Sequence, residues 1–172
     1  GETHLVSHYL SADALQLFEY RFRRQGYVAW RDLLVHAFSR LRALDFMSAV
    51  PLLLMVTDGI CQHHLQKSAF GGAADQDVFD SLTTAPNGLS HALSLAGRTR
   101  RKLSTEALST PYRNGILHGR DVNFGHAIVA AKAVNLLRAM IDYIDKRADE
   151  ATRIEKAIAD QQPPDLIAIA VA

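Results

Sequence analysis

An all-α bundle of about five helices is the fold class this sequence predicts, on three observations. Apolar residues recur at helical spacing through most of the chain. No segment alternates apolar and polar residues with the period of a strand. The longest periodic run, Ala127 to about Ala159, is far longer than an ordinary strand. The 172 residues suit one domain, spanning 1–162, followed by an apolar tail at 163–172.

The elements follow in order. Ser11 ahead of Ala-Asp-Ala-Leu reads as an N-cap, and Leu15, Leu17, Phe18 and Phe22 continue a helix that Gly26 stops. A second helix is expected from about Val28 to Met47, with Leu33, Leu34, Ala37, Leu41 and Leu44 as its apolar face. Pro51 marks a new start, since proline is tolerated in a first turn, and Leu52–Lys67 reads as a largely buried helix. Gly71-Gly72, several aspartates and Pro86-Asn87-Gly88 make residues 68–87 a loop, with a short helix around Val78–Leu82. Leu89–Ala96 is a short helical pattern. Thr110-Pro111 opens another, with threonine as cap, proline in the first turn and Gly119 as its close. The long final helix repeats Ile128, Ala131, Val134, Leu137, Ile141, Ile144 and Ala148, and Pro163-Pro164 ends it.

Composition narrows the function classes only a little. Apolar residues make up 48% and charged residues 22%, an ordinary globular balance, and the formal net charge of +1 leaves any nucleic-acid argument to local clusters. The lone Cys61 has no partner for an internal disulfide, which speaks for a reducing, cytoplasmic setting and excludes a zinc site built on thiolates. No basic region followed by an apolar run opens the chain, and the apolar run Val50–Val56 is too short to span a bilayer. Neither a membrane nor a cofactor is expected. The opening Gly1 leaves room for a longer native protein at either end.

The stretch that carries chemistry is Thr110-Pro111-Tyr112-Arg113-Asn114-Gly115-Ile116-Leu117-His118-Gly119-Arg120-Asp121. Arg113 and His118 lie about 140° apart on a helix, and a helix ending in Gly119 can unwind to turn both into one cleft. Ile116 and Leu117 can anchor the turn, and Tyr112 suits packing. Asp58, inside the apolar run "LLLMVTDGICQHH", requires a partner because an unpaired carboxylate is costly there. A structural Arg113–Asp58 bridge, with His118 as a helix C-cap, is the plain alternative to catalysis. His63 and His64 are adjacent, point in different directions and make a poor metal pair; solvated histidines at a helix end are the default, and no metal is expected.

Arginine, a polar residue, then histidine after four intervening positions resembles the signature of the HEPN family (higher eukaryotes and prokaryotes nucleotide-binding domains). The flanking "PYRNGILHGRD" ahead of a long alanine-rich helix looks like bacterial members, and the resemblance covers roughly Val50 to Tyr143. It implies an HEPN-like all-α fold and a metal-independent endoribonuclease, in which the ribose 2′-hydroxyl attacks the adjacent phosphodiester. His118 would act as general base or acid, and Arg113 would stabilise the phosphorane oxygens. Asn114 would orient the histidine or the phosphate, and the resemblance makes Arg113 the candidate partner of Asp58, which would serve as a supporting acid near the arginine or as a structural pair with it. The resemblance further implies a homodimer with a composite active site.

Two basic clusters complete the reading. Arg98, Arg100, Arg101 and Lys102 precede the motif and Arg120 follows it, an electropositive rim suited to an RNA backbone, or else a solvated run balancing the aspartates of the 75–80 loop. Arg21, Arg23 and Arg24, interleaved with Tyr20, Phe22 and Tyr27, read more simply as an amphipathic helix face. The expected function is a bacterial toxin–antitoxin or phage-defence ribonuclease, with RNA as substrate and an antitoxin or regulatory partner. The rival is a non-catalytic HEPN module that dimerises and binds nucleotide or a partner protein.

Overall fold

A computed structural model of the chain describes residues 1–22, 25–70, 88–98 and 101–161. Its helices are α1 (Glu2–Tyr9), α2 (Ala12–Arg21), α3 (Arg31–Arg42), α4 (Phe46–Leu65), α5 (Leu89–Gly97), α6 (Arg113–Leu117) and α7 (Ala127–Gln161), with a 3-10 segment at Gln25–Trp30. The all-α bundle is therefore observed. Among the described residues the only β feature is an isolated bridge between Ser104 and Asp121. The expected short helix at Val78–Leu82, the Pro163-Pro164 stop and the apolar tail lie outside the described residues.

α4 and α7 form the centre. α4 buries Ala49, Val50, Leu53, Leu54, Val56, Thr57, Ile60 and Cys61, a stripe too wide for one neighbour, and it packs on α3 on one side and α7 on the other. α7 supplies Val129, Ala130, Ala133, Val134, Leu137, Met140 and Ile141 to the same core. Thr57 sits in this interior with its hydroxyl satisfied, donating to Leu53 O at 2.7 Å. Cys61 is fully buried.

Ser11 caps α2 as expected, its Oγ accepting from Ala14 N at 3.2 Å, and Leu15, Phe18 and Phe22 turn inward. Leu17 does not: it lies two residues from Leu15, on the opposite side of the helix, and is 69% exposed. α3 buries Leu34, Ala37, Phe38 and Leu41, while Leu33 falls off that stripe. Leu44 lies beyond the helix at φ +58°, in the left-handed region, with its side chain in solvent. Asp45 N donates to Arg40 O at 2.9 Å and Leu44 N to Leu41 O at 3.0 Å, the paired bonds of a Schellman close. A leucine in that conformation is strained, so Leu44→Gly should raise unfolding free energy by about 1 kcal/mol. A higher urea midpoint with unchanged slope would show it.

The start of α4 differs from expectation. Asp45, not Pro51, opens the helix: its Oδ1 accepts from Ser48 N at 3.2 Å, and hydrogen bonds from Ser48 hold the carboxyl below its ordinary range. Pro51 then lies inside the helix, where it cannot donate to the carbonyl one turn back and its ring crowds that carbonyl. α1 was not legible as an element. It docks on α7, helped by Lys132 Nζ, which reaches Glu2 at 3.1 Å and Ser109 O at 2.7 Å.

The cluster around Arg21 is a clamp between helices. Arg21 bonds Asp142 and, at 3.0 Å, Asp145, and Tyr27 Oη donates to Asp145 at 2.7 Å. Phe22 and Tyr27 are core residues, and Tyr20 alone of the aromatics is exposed. Arg23 and Arg24 lie outside the described residues. α7 follows the core only as far as Ile144; from Lys146 to Asp160 every residue is exposed.

Candidate active site around Arg113 and His118

Helix α6 begins after Thr110-Pro111, which stand ahead of it and do not open it. Its N-cap position is Tyr112, without a side-chain cap bond. Ile116 is buried and fixes the turn to the core. His118 is the C-cap residue, and Gly119 follows at φ +66°, which closes the helix as the glycine predicts.

Gly115 is needed for a different reason. A Cβ there would stand 1.7 Å from Asp121 Oδ2, so the carboxylate lies directly against the glycine backbone. Gly115 O accepts from Arg120 N at 2.8 Å and Asp121 N at 3.0 Å, folding the chain back on the helix. Asp121 is 1% exposed. The next segment is held alongside, with Ser104 N donating to Arg120 O at 2.7 Å and Val122 N to Ser104 O at 3.2 Å.

Arg113 is fixed from three directions. Its Nη2 donates to Asp58 Oδ2 at 2.9 Å, its Nη1 donates to Asn114 Oδ1 at 2.9 Å, and its guanidinium lies 5.9 Å from the Phe70 ring centroid. Arg113 Nε is buried with no hydrogen-bond partner among the described residues. The partner that Asp58 required is thus Arg113, and two further donors meet Oδ1: Ser68 Oγ at 2.9 Å and Ala69 N at 3.0 Å. The two side chains keep 28% and 20% of their exposure, so the pair sits at the edge of the interior. Asp58→Ala is therefore expected to cost about 2 kcal/mol, less than a fully buried pair loses, read as a lower urea midpoint.

Asn114 makes no hydrogen bond to the histidine among the described residues. Its amide is used on both ends, the oxygen by Arg113 and the nitrogen by Gly97 O at 2.7 Å, so it ties α6 to the last turn of α5 and sets the guanidinium. The approach is close there: a Cβ on Gly97 would come within 2.9 Å of Phe70 O. Ser68, Phe70 and Gly97 escaped the sequence reading, since nothing local marks a residue that matters only for what folds beside it.

His118 is exposed, and its side chain has no hydrogen bond or ion pair among the described residues. The site thus combines a rigid, partly sheltered guanidinium with an imidazole open to solvent at the end of the same turn. Of the basic rim, Arg98 is exposed at the end of α5, and Arg101 and Lys102 are exposed on the segment tied to Arg120. Arg101, Lys102 and Ser104 line a shallow depression of about 370 Å³, into which Glu106 also projects. Arg120 is half-buried, and Arg100 lies outside the described residues.

The histidines of α4 lie at the helix end, as expected; His63 is exposed and His64 is half-buried. His64 Nε2 donates to Gly26 O at 3.1 Å, and both rings lean on Trp30, whose indole nitrogen lies against Gly59, where a Cβ would meet it at 2.9 Å. Among the described residues no cluster of three or more His, Cys, Asp or Glu could hold a metal ion, and no helix is long and apolar enough to cross a membrane. No family model, no curated protein and no solved structure matches the chain.

Proposed function

We propose that this chain is an HEPN-type endoribonuclease that cleaves RNA without a metal, in a bacterial toxin–antitoxin or phage-defence system. The observation that carries the reading is the division of labour in one turn. Arg113 is locked by Asp58 and Asn114, while His118, at the end of the same short helix, is exposed and has no side-chain partner among the described residues. A phosphate stabiliser works best when its donors are preorganised, and a proton-transfer group must reach the substrate.

In this reading a ribose 2′-hydroxyl attacks the adjacent phosphorus, the bond to the 5′-oxygen breaks, and a 2′,3′-cyclic phosphate and a 5′-hydroxyl result. An imidazole takes the proton from the 2′-oxygen and another supplies one to the leaving 5′-oxygen. One chain offers a single histidine in the motif, so the reading includes a homodimer whose two motifs share a cleft. Arg113 neutralises charge on the phosphorane, and Arg101 and Lys102 attract the flanking phosphates. The metal's usual task, activating a water, does not arise because the nucleophile is the substrate's own hydroxyl.

The test is incubation of the purified chain with single-stranded and total RNA in EDTA, with the product ends analysed. Cyclic phosphate ends, absent with Arg113→Ala, are the expected result. A folded parent protein that leaves every RNA intact would overturn the ribonuclease. One observation then favours a second reading, a non-catalytic HEPN module that binds nucleotide or a partner protein: both terminal nitrogens of Arg113 are already engaged by side chains of its own chain.

A further inference from the structure

We infer that the free half of α7 is a docking helix for a helix of another protein, one whose apolar seam is flanked by basic residues. Fifteen residues, Lys146 to Asp160, are exposed at every position and reach about 22 Å from the body at the ordinary helical rise. A helix of this length gains nothing from tertiary packing and is marginal in water by itself. It is not polar all round: Ile154 and Ile158 are each 56% exposed, and with Ala151 they recur at a spacing of three and four. That stripe is one side chain wide, the seam of a coiled coil and not the broad face that a globular groove receives.

The charges beside the seam select the partner. With Ala151 and Ile158 at position a and Ile154 at d, the flanking e and g positions are Ala148, Glu150, Glu155 and Ala157. Every charge there is negative. The basic residues Lys146, Arg153 and Lys156 fall at c and f, on the far side. Arg147, at d beside the body, is turned back toward Tyr143 Oη at 3.5 Å. A second copy of this helix is therefore a poor occupant. Paired in parallel, Glu150 would face Glu155 of the other copy; paired antiparallel, e meets e and g meets g, with no basic residue in either set. A partner helix carrying lysine or arginine at its own e and g positions would meet opposite charge on both sides. The seam thus disfavours self-pairing and selects for the basic partner. This inference is independent of the ribonuclease reading.

The experiment uses two labelled peptides of roughly three heptads with leucine at a and d, one with lysine and one with glutamate at e and g. Fluorescence anisotropy with the full chain should show the lysine peptide binding at least about tenfold more tightly than the glutamate peptide. Binding should vanish in Ile154→Asp/Ile158→Asp, whose changes lie in solvent and leave the helical circular dichroism of the body in place. The preference should reverse in Glu150→Lys/Glu155→Lys. Equal binding of both peptides, binding of neither, or binding that survives the isoleucine changes would overturn the proposal. Sedimentation equilibrium supplies a further check: self-association abolished by Ile154→Asp/Ile158→Asp would make a second copy the occupant and overturn it as well.

Discussion

His118→Ala should reduce RNA cleavage by roughly 10³- to 10⁴-fold, toward the upper end for general acid–base catalysis because a composite site would lose both its acid and its base. Stability should barely move, by within about 0.5 kcal/mol, since the imidazole is exposed and holds no side-chain bond among the described residues. Arg113→Ala makes the contrast. It too should abolish cleavage, but it also removes the donor that meets Asp58 Oδ2 and the one that meets Asn114, so its urea midpoint should fall. Arg113→Lys should recover part of the stability and little of the activity, because an ammonium cannot span the two acceptors with a planar fork. A His118→Ala protein that cleaves RNA at the parent rate would sink the catalytic assignment. The measurement is single-turnover cleavage of a labelled RNA in EDTA, beside thermal melts of each variant.

Gly115→Ala should be the most damaging glycine-to-alanine change among the described residues. The added carbon would stand 1.7 Å from Asp121 Oδ2 and 2.6 Å from its Cγ, inside any tolerable contact. Asp121 cannot simply swing away: it is 1% exposed, and its own N–H is bonded to Gly115 O at 3.0 Å. Relief requires the 119–122 turn to lift from α6, and the segment paired to it at Ser104 with it. The expected cost is about 3 kcal/mol or more, a melting temperature lower by roughly 10 °C for a chain of this size. In a double-mutant cycle with Asp121→Ala, the pair should cost clearly less than the sum of the singles. Additive costs would mean that the contact is not the cause. Lost cleavage in Gly115→Ala would report a displaced motif, which separates it from His118→Ala.

Much of this was legible in the sequence where the signal is local. Ser11 as a cap, Gly119 as a helix end and the course of α7 each follow from a residue and its near neighbours. The Asp58–Arg113 pair spans fifty-five positions; the apolar run announced only that Asp58 needs a partner, and the family resemblance pointed to Arg113. The supporting contacts were not legible. Ser68 on Asp58, Gly97 O under Asn114 and Asp121 against Gly115 are tertiary approaches that no spacing announces. Pro51 misled for a related reason: proline fits both a first turn and, more rarely, a later one, and Asp45 decided the matter by capping α4 six residues before the expected start at Pro51.

Trp30 is the only tryptophan in the chain, and its indole rests on Gly59, the residue next to Asp58. The protein therefore carries an intrinsic optical probe one residue from the anchor of the candidate site. Its emission, quenchable by the neighbouring His63 and His64 rings, offers a label-free titration of anything that moves α4 when a ligand engages Arg113.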